Sequence, residues 1–134
     1  MSNESIERLS PLQGYDFLQN NPDALFVDVR SSAEIKFVGY PEGSLHMPWM
    51  EFPDMRPLAG FVGMVREKAE DSDKPILLIC RSGQRSMSAA KALAEAGFTK
   101  LINIEEGFEG DLDGEGHRNL KSGWRFHGLP WKQK

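Results

Sequence analysis

Three short apolar runs narrow the fold more than any other feature of the chain. Ala24-Leu25-Phe26-Val27-Asp28-Val29, Ile76-Leu77-Leu78-Ile79 and Leu101-Ile102-Asn103-Ile104 are nearly continuous, with no apolar–polar alternation. Strands of that kind are covered on both faces, as in parallel sheets flanked by helices. Helical segments lie between the runs. Ser10-Pro11 opens the first, serine as cap and proline at the first helical position; Tyr15 and Leu18 then face inward, and QNNPD ends it. Ser31-Ser32-Ala33-Glu34 opens a second, with a carboxylate in its first turn. Residues 61–69 carry Phe61, Val62, Val65 and Ala69 in a third. Met87, Ala90, Leu93 and Ala94 recur at helical spacing in a fourth, which Gly97 ends. Residues 39–43 read as a turn, 53–57 as an irregular connector, and the stretch from Gly107 to Trp124 as polar and glycine-rich, with GLPW closing the domain. Strands alternating with helices predict an α/β domain around a mainly parallel sheet.

The 134 residues suit one domain over 1–134, with a core over about residues 8–131. A single cysteine rules out an internal disulfide framework. The first charges, Glu4 and Glu7, are acidic, and MSNESIERLSPLQGYDFLQ has no apolar core of signal-peptide length. No stretch approaches the roughly 18 apolar residues of a membrane span. The net charge of −4 argues against a general nucleic-acid binder without excluding a local positive pocket. A cytoplasmic protein with neither nucleic acid nor membrane as partner is expected.

The single thiol, Cys80, follows the second apolar run directly. In open α/β sheets ligands bind beyond the carboxyl ends of the strands. Residues 81–85 must turn sharply there, and Gly83 makes the turn inexpensive. The amides of such a turn form an anion-binding nest, and the following helix points its positive end at the same place. Arg81 and Arg85 add formal charge. A lone cysteine is by default a small buried hydrophobe. This coincidence of features instead favours the thiolate and a nucleophilic sulfur at neutral pH.

Two chemistries use a thiolate in such a cradle. Phosphate-ester hydrolysis, or the related reduction of arsenate, needs a loop wide enough for a tetrahedral anion, usually five residues between cysteine and arginine. Hydrolysis also benefits from an acid to protonate the leaving oxygen. Sulfur transfer needs a smaller loop for an anionic persulfide. Here Arg85 follows after four intervening residues, and Ser86 stands where the longer spacing would need arginine. The short loop favours sulfur. A non-catalytic sulfur carrier or binding module remains a third reading.

CRSGQRS after an apolar strand resembles the active-site loop of the rhodanese family of sulfurtransferases. LFVDVRSSAEI (residues 25–35), GYPEGSLHMPW (39–49), INIEEGFEG and GWRFHGLPW are similar to further ordered elements of that family. The resemblance implies a three-layer α/β/α fold around a five-stranded, mainly parallel sheet. It also implies a Cys80 persulfide, formed from thiosulfate or a similar small anionic donor and passed to cyanide, a small thiol or a protein cysteine. Arg81, Ser82, Gly83, Gln84 and Arg85 would bind the donor and the transferred sulfur, with Arg81 and Arg85 orienting anions. Asp28, Arg30 and Ser86 would support the loop, although Asp28 and Arg30 also read as an ordinary surface ion pair. No cofactor is implied. Two features depart from the family: Tyr40 and Pro41 stand where His-Ile is common, and residues 111–123 lengthen the final segment, which is expected to drape over the pocket.

Other motifs carry less. Asp111 to Gly116 echoes a calcium loop, but its twelfth position is Ser122 where a bidentate glutamate is needed, so a solvated loop is expected. His46, His117 and His127 are scattered, and no metal site is expected. Trp49, Trp124 and Trp131 are read as packing residues, with Trp49 or Phe108 as candidates to border the pocket.

Overall fold

The computed structural model describes residues 6–51 and 53–133. Of the unit expected over 1–134, Met1–Ser5, Phe52 and Lys134 lie outside the described residues. The elements are β1 (Ile6–Leu9), α1 (Pro11–Asn20), β2 (Leu25–Asp28), α2 (Ser32–Val38), β3 (Tyr40–Pro41), β4 (Leu45–His46), β5 (Met50–Glu51), β6 (Arg56–Pro57), α3 (Phe61–Ala69), β7 (Ile76–Ile79), α4 (Gln84–Glu95), β8 (Leu101–Ile104) and β9 (Trp131–Lys132).

The apolar runs become β2, β7 and β8, the three inner strands of a five-stranded sheet in the order β1-β8-β7-β2-β4. Every pairing in it is parallel. Alternate strand residues point to opposite faces, and both faces are covered. Phe61, Val65 and Ala69 of α3 join Ala89, Ala90 and Leu93 of α4 in a cluster with Val27, Ile76, Leu78 and Leu101. On the other face Tyr15, Phe17 and Leu18 of α1 and Val38 of α2 pack against Phe26, Leu77, Ile79, Ile102 and Ile104. The three layers are those the resemblance implied. Capping boxes start α1, through Ser10 and Gln13, and α2, through Ser31 and Glu34, as the serine-led patterns predict.

Six short strands depart from the sequence expectations. Residues 39–43 are more than a turn, because β3 pairs antiparallel with β9. Residues 53–57 are more than a connector, because β6 pairs with β5. Two-residue strands are too short to leave any periodicity. The edge strand β1 reads IERL and exposes Glu7 and Arg8, so it lacks the doubly buried signature of its neighbours. The other edge, β4, is two residues long. Residues 111–123 fold back on their own stem: Arg118 donates to the Gly110 carbonyl, the Asp111 N–H to Ser122 Oγ, and the Asn119 N–H to the Glu109 carbonyl.

Candidate functional site

Cys80 lies at the carboxyl end of β7, the middle strand, and packs into the cluster beneath α3 and α4 with 1% of its surface exposed. The chain must leave the strand and enter α4 within four residues, 80–83. Gly83 makes that reversal with φ 111°, a left-handed value that only glycine adopts without strain. The turn brings the Gly83 N–H to 3.1 Å from Cys80 Sγ. Ser86, in the first turn of α4, places its hydroxyl oxygen 3.3 Å from the same sulfur. Ser86 Oγ also lies 2.5 Å from Asn103 Oδ1, and Asn103 Nδ2–H donates to the Gly83 carbonyl at 3.2 Å.

A second segment clamps the base of the loop. The Phe108 N–H donates to the Cys80 carbonyl, and the amides of Glu109 and Gly110 donate to the Arg81 carbonyl. The approach is so close that a Cβ on Gly107 would lie 2.5 Å from backbone atoms of Cys80 and Arg81, and φ there is 67°. Glycine at 107 is thus a steric requirement of the site.

Arg85 is already engaged. Its two terminal nitrogens donate to the two carboxylate oxygens of Glu34 at 2.8 Å each, in a fork geometry. Glu34 also accepts from the backbone and hydroxyl of Ser31, so it ties the start of α2 to the start of α4. Burial works to raise the Glu34 carboxyl, but the hydrogen bonds and charge of Arg85, with the Ser31 donors, outweigh it and lower it from 4.5 to about 2. The hydrogen bond to Glu34 raises Arg85 against the opposing effect of burial. Arg85 therefore stays charged, and its field still acts on Cys80 and Asp28.

Arg81 is exposed. It lines a hollow of about 280 Å³ with Glu34, Arg85 and Met55, the last held over it by the β5–β6 hairpin. Ser82, Gly83 and Gln84 face a different hollow of about 400 Å³, lined also by Arg8, Lys91 and Asn103. Neither lining includes a residue of 111–123, so the expected draping is not seen at these two hollows.

Asp28 and Arg30 are not a surface pair. Both side chains have no exposed area, which overturns that alternative. Arg30 Nε and Nη2 donate to Asp28, and Nη2 also reaches the Gly39 carbonyl at 2.6 Å. The guanidinium carbon sits 4.4 Å from the centre of the Phe108 ring. The route from this pair to the cysteine therefore runs through Phe108, whose amide holds the Cys80 carbonyl. Phe108 and Trp124 are core residues, at 0% and 1% exposed.

Three parts of the site escaped the sequence. Glu34 was legible as a capping residue and not as the partner of Arg85, 51 positions away. Asn103 carried a signal, one amide inside an apolar run, without its meaning. The 107–110 clamp was visible only as a glycine-rich stretch.

Comparison with known proteins supplies the rest. The rhodanese-like domain family matches residues 13–112. An uncharacterised protein of Rickettsia rickettsii is 31% identical over 133 residues, covering 96% of this chain and 98% of its own. The thiosulfate sulfurtransferase GlpE of Glaesserella parasuis is 27% identical over 107 residues, covering 80% of this chain and 87% of its own. The crystal structure of Rv0390 from M. tuberculosis superposes with a TM-score of 0.85 at 39% identity, covering 96% of this chain and 98% of that one.

Proposed function

The chain belongs to the rhodanese-like family, and from that premise we propose that it is a sulfurtransferase working through a persulfide on Cys80. The observation that carries this is the size of the cradle. One loop amide, that of Gly83, meets the sulfur, and the turn into α4 is complete by Gln84. A tetrahedral phosphate needs a wider ring of donors, whereas one additional sulfur atom does not. Similarity to a thiosulfate sulfurtransferase over four-fifths of the chain supports the same conclusion.

In the first step the Cys80 thiolate attacks the outer sulfur of thiosulfate. A new S–S bond forms, the old one breaks with its electron pair leaving as sulfite, and the enzyme holds Cys80–S–S⁻. In the second step an acceptor nucleophile attacks the terminal sulfur and the Cys80 thiolate is restored. With cyanide the product is thiocyanate. The terminal sulfur extends about 2 Å beyond Sγ, which brings the transferable atom outward from a buried cysteine. Arg81, exposed and with no carboxylate fork among the described residues, is the residue offered to an anionic donor. Arg85 acts from behind Glu34, as a fixed charge. The acceptor is a small-molecule or protein thiol, and the setting is the cytoplasm, where a lone thiol stays reduced.

Intact mass after incubation with thiosulfate and removal of the excess tests the proposal. Gain of one sulfur atom, lost on adding cyanide as thiocyanate appears and absent in Cys80→Ala, is expected. No gain on reduced protein, or turnover retained in Cys80→Ala, overturns it. A single loading that no acceptor discharges would replace the enzyme with a sulfur carrier.

A further inference from the structure

Asn103 is a polar side chain in the middle of a buried strand. It stands beside Leu78 in register and is 4% exposed. An amide in that position is costly unless its hydrogen bonds are made. Both go to the cysteine loop: Nδ2–H to the Gly83 carbonyl and Oδ1 to Ser86. These two residues are also the ones that meet the Cys80 sulfur.

The Ser86 hydroxyl has one proton to give. Three acceptors are in reach: Asn103 Oδ1 at 2.5 Å, and Cys80 Sγ and the Gly83 carbonyl at 3.3 Å each. The Gly83 carbonyl only accepts, so it takes the Nδ2 side of the amide and leaves Oδ1 facing Ser86. Two oxygens 2.5 Å apart require a proton between them, so Ser86 gives its proton to Asn103 and turns a lone pair to the sulfur. That arrangement suits a thiol, whose S–H donates. A thiolate needs a donor instead. Ser86 must then swing its proton from Asn103 Oδ1 to Sγ, against the hold of an amide whose orientation the Gly83 carbonyl fixes through Nδ2–H.

We propose that Asn103 is a positioning residue for Cys80: acting through Ser86, its amide sets whether the one hydroxyl proton beside the sulfur points at it or away, and so how readily the thiol ionises. This rests on the proposed function only in taking Cys80 as the reacting group. The charged groups around the sulfur are Arg85 with Glu34, the buried Asp28–Arg30 pair and exposed Arg81. Glu105 and Glu106 back Gly83, Glu106 is paired with His127, and Arg8 and Lys91 line the hollow that Asn103 borders. All of them are common to the variants below.

The measurement is the pH profile of Cys80 alkylation by iodoacetamide, which reports one site because the chain has one cysteine. Asn103→Asp puts an acceptor-only, negatively charged group in place of the amide, which locks the Ser86 proton away from the sulfur. The midpoint of the profile is expected to rise by about one pH unit, and to rise clearly less in a Ser86→Ala background. No rise, or the same rise in both backgrounds, overturns the role. If thermal melting shows that Asn103→Asp does not fold, Asn103→Leu replaces it. That variant is expected to move the midpoint when Ser86 is present and not when it is alanine, and equal displacement in both, or none, overturns the role. Coupling in a protein that takes no sulfur from thiosulfate would uphold Asn103 and reject the sulfurtransferase.

Discussion

Two arginine–carboxylate pairs flank the start of α2, and they differ in kind. Asp28–Arg30 spans two residues at the end of β2 and is sealed from water on both sides. Glu34–Arg85 joins two helices across 51 positions, and its partners retain 13% and 17% of their exposure. The sealed pair is held by a carbonyl and an aromatic face as well as by its own charges. Neither charge is tolerated there alone, because an unpaired charge at that depth has no water to turn to. The rim pair keeps contact with solvent and titrates. One is buried at the end of β2; the other ties the start of α2 to the start of α4 at the edge of solvent.

The largest expected effect breaks the sealed pair. Arg30→Met leaves Asp28 buried with the residue-30 backbone N–H but without its charged partner and should cost about 3–5 kcal/mol in urea unfolding. Asp28→Asn combined with Arg30→Met should recover part of that loss. If the single variant costs no more than a typical surface substitution, the two pairs do not differ as described.

Acid separates the pairs next. The Glu34 carboxyl falls on folding from its ordinary 4.5 to about 2. A carboxylate lowered by folding stabilises fully above its unfolded value and loses that contribution as pH falls toward its folded one. Stability should therefore decline between about pH 4.5 and pH 2 through this group, by on the order of 1–2 kcal/mol after allowance for screening at a partly exposed site. Glu34→Gln should flatten that part of the curve in equilibrium unfolding followed across pH. An unchanged curve would place the acid sensitivity elsewhere.

The smallest effect on the fold belongs to the exposed neighbour. Arg81→Ala should leave stability within about 0.5 kcal/mol, while raising KM for thiosulfate more than for an uncharged sulfur donor. Equal changes for both donors would remove Arg81 from donor binding and leave the fixed charge of Arg85 as the attraction for anions.

These contrasts mark where sequence reasoning stops. Arg81 and Arg85 look equivalent in CRSGQRS, yet one is exposed and the other is held by a carboxylate. Asp28 and Arg30 also fit a surface pair in the sequence, and only their burial in the fold removes that reading. The helices and inner strands were legible because each carries its own periodicity or cap, repeated over several residues. Two-residue strands have no such redundancy, and they emerge only from the partners they pair with.

By itself the sequence determined the α/β plan with a mainly parallel sheet, the place of Cys80 directly after an apolar strand and the narrowness of its loop. All three are local: an apolar run, a glycine turn and a count of residues between cysteine and arginine. The tertiary structure decided what surrounds the sulfur, namely Glu34 across from Arg85, Asn103 behind Ser86, and the 107–110 segment against the Cys80 and Arg81 carbonyls. Those contacts join residues 17 to 51 positions apart, or backbone groups with no side-chain signature. Their energies depend on burial and on which donor faces which acceptor, and chain order encodes neither until the sheet has brought them together.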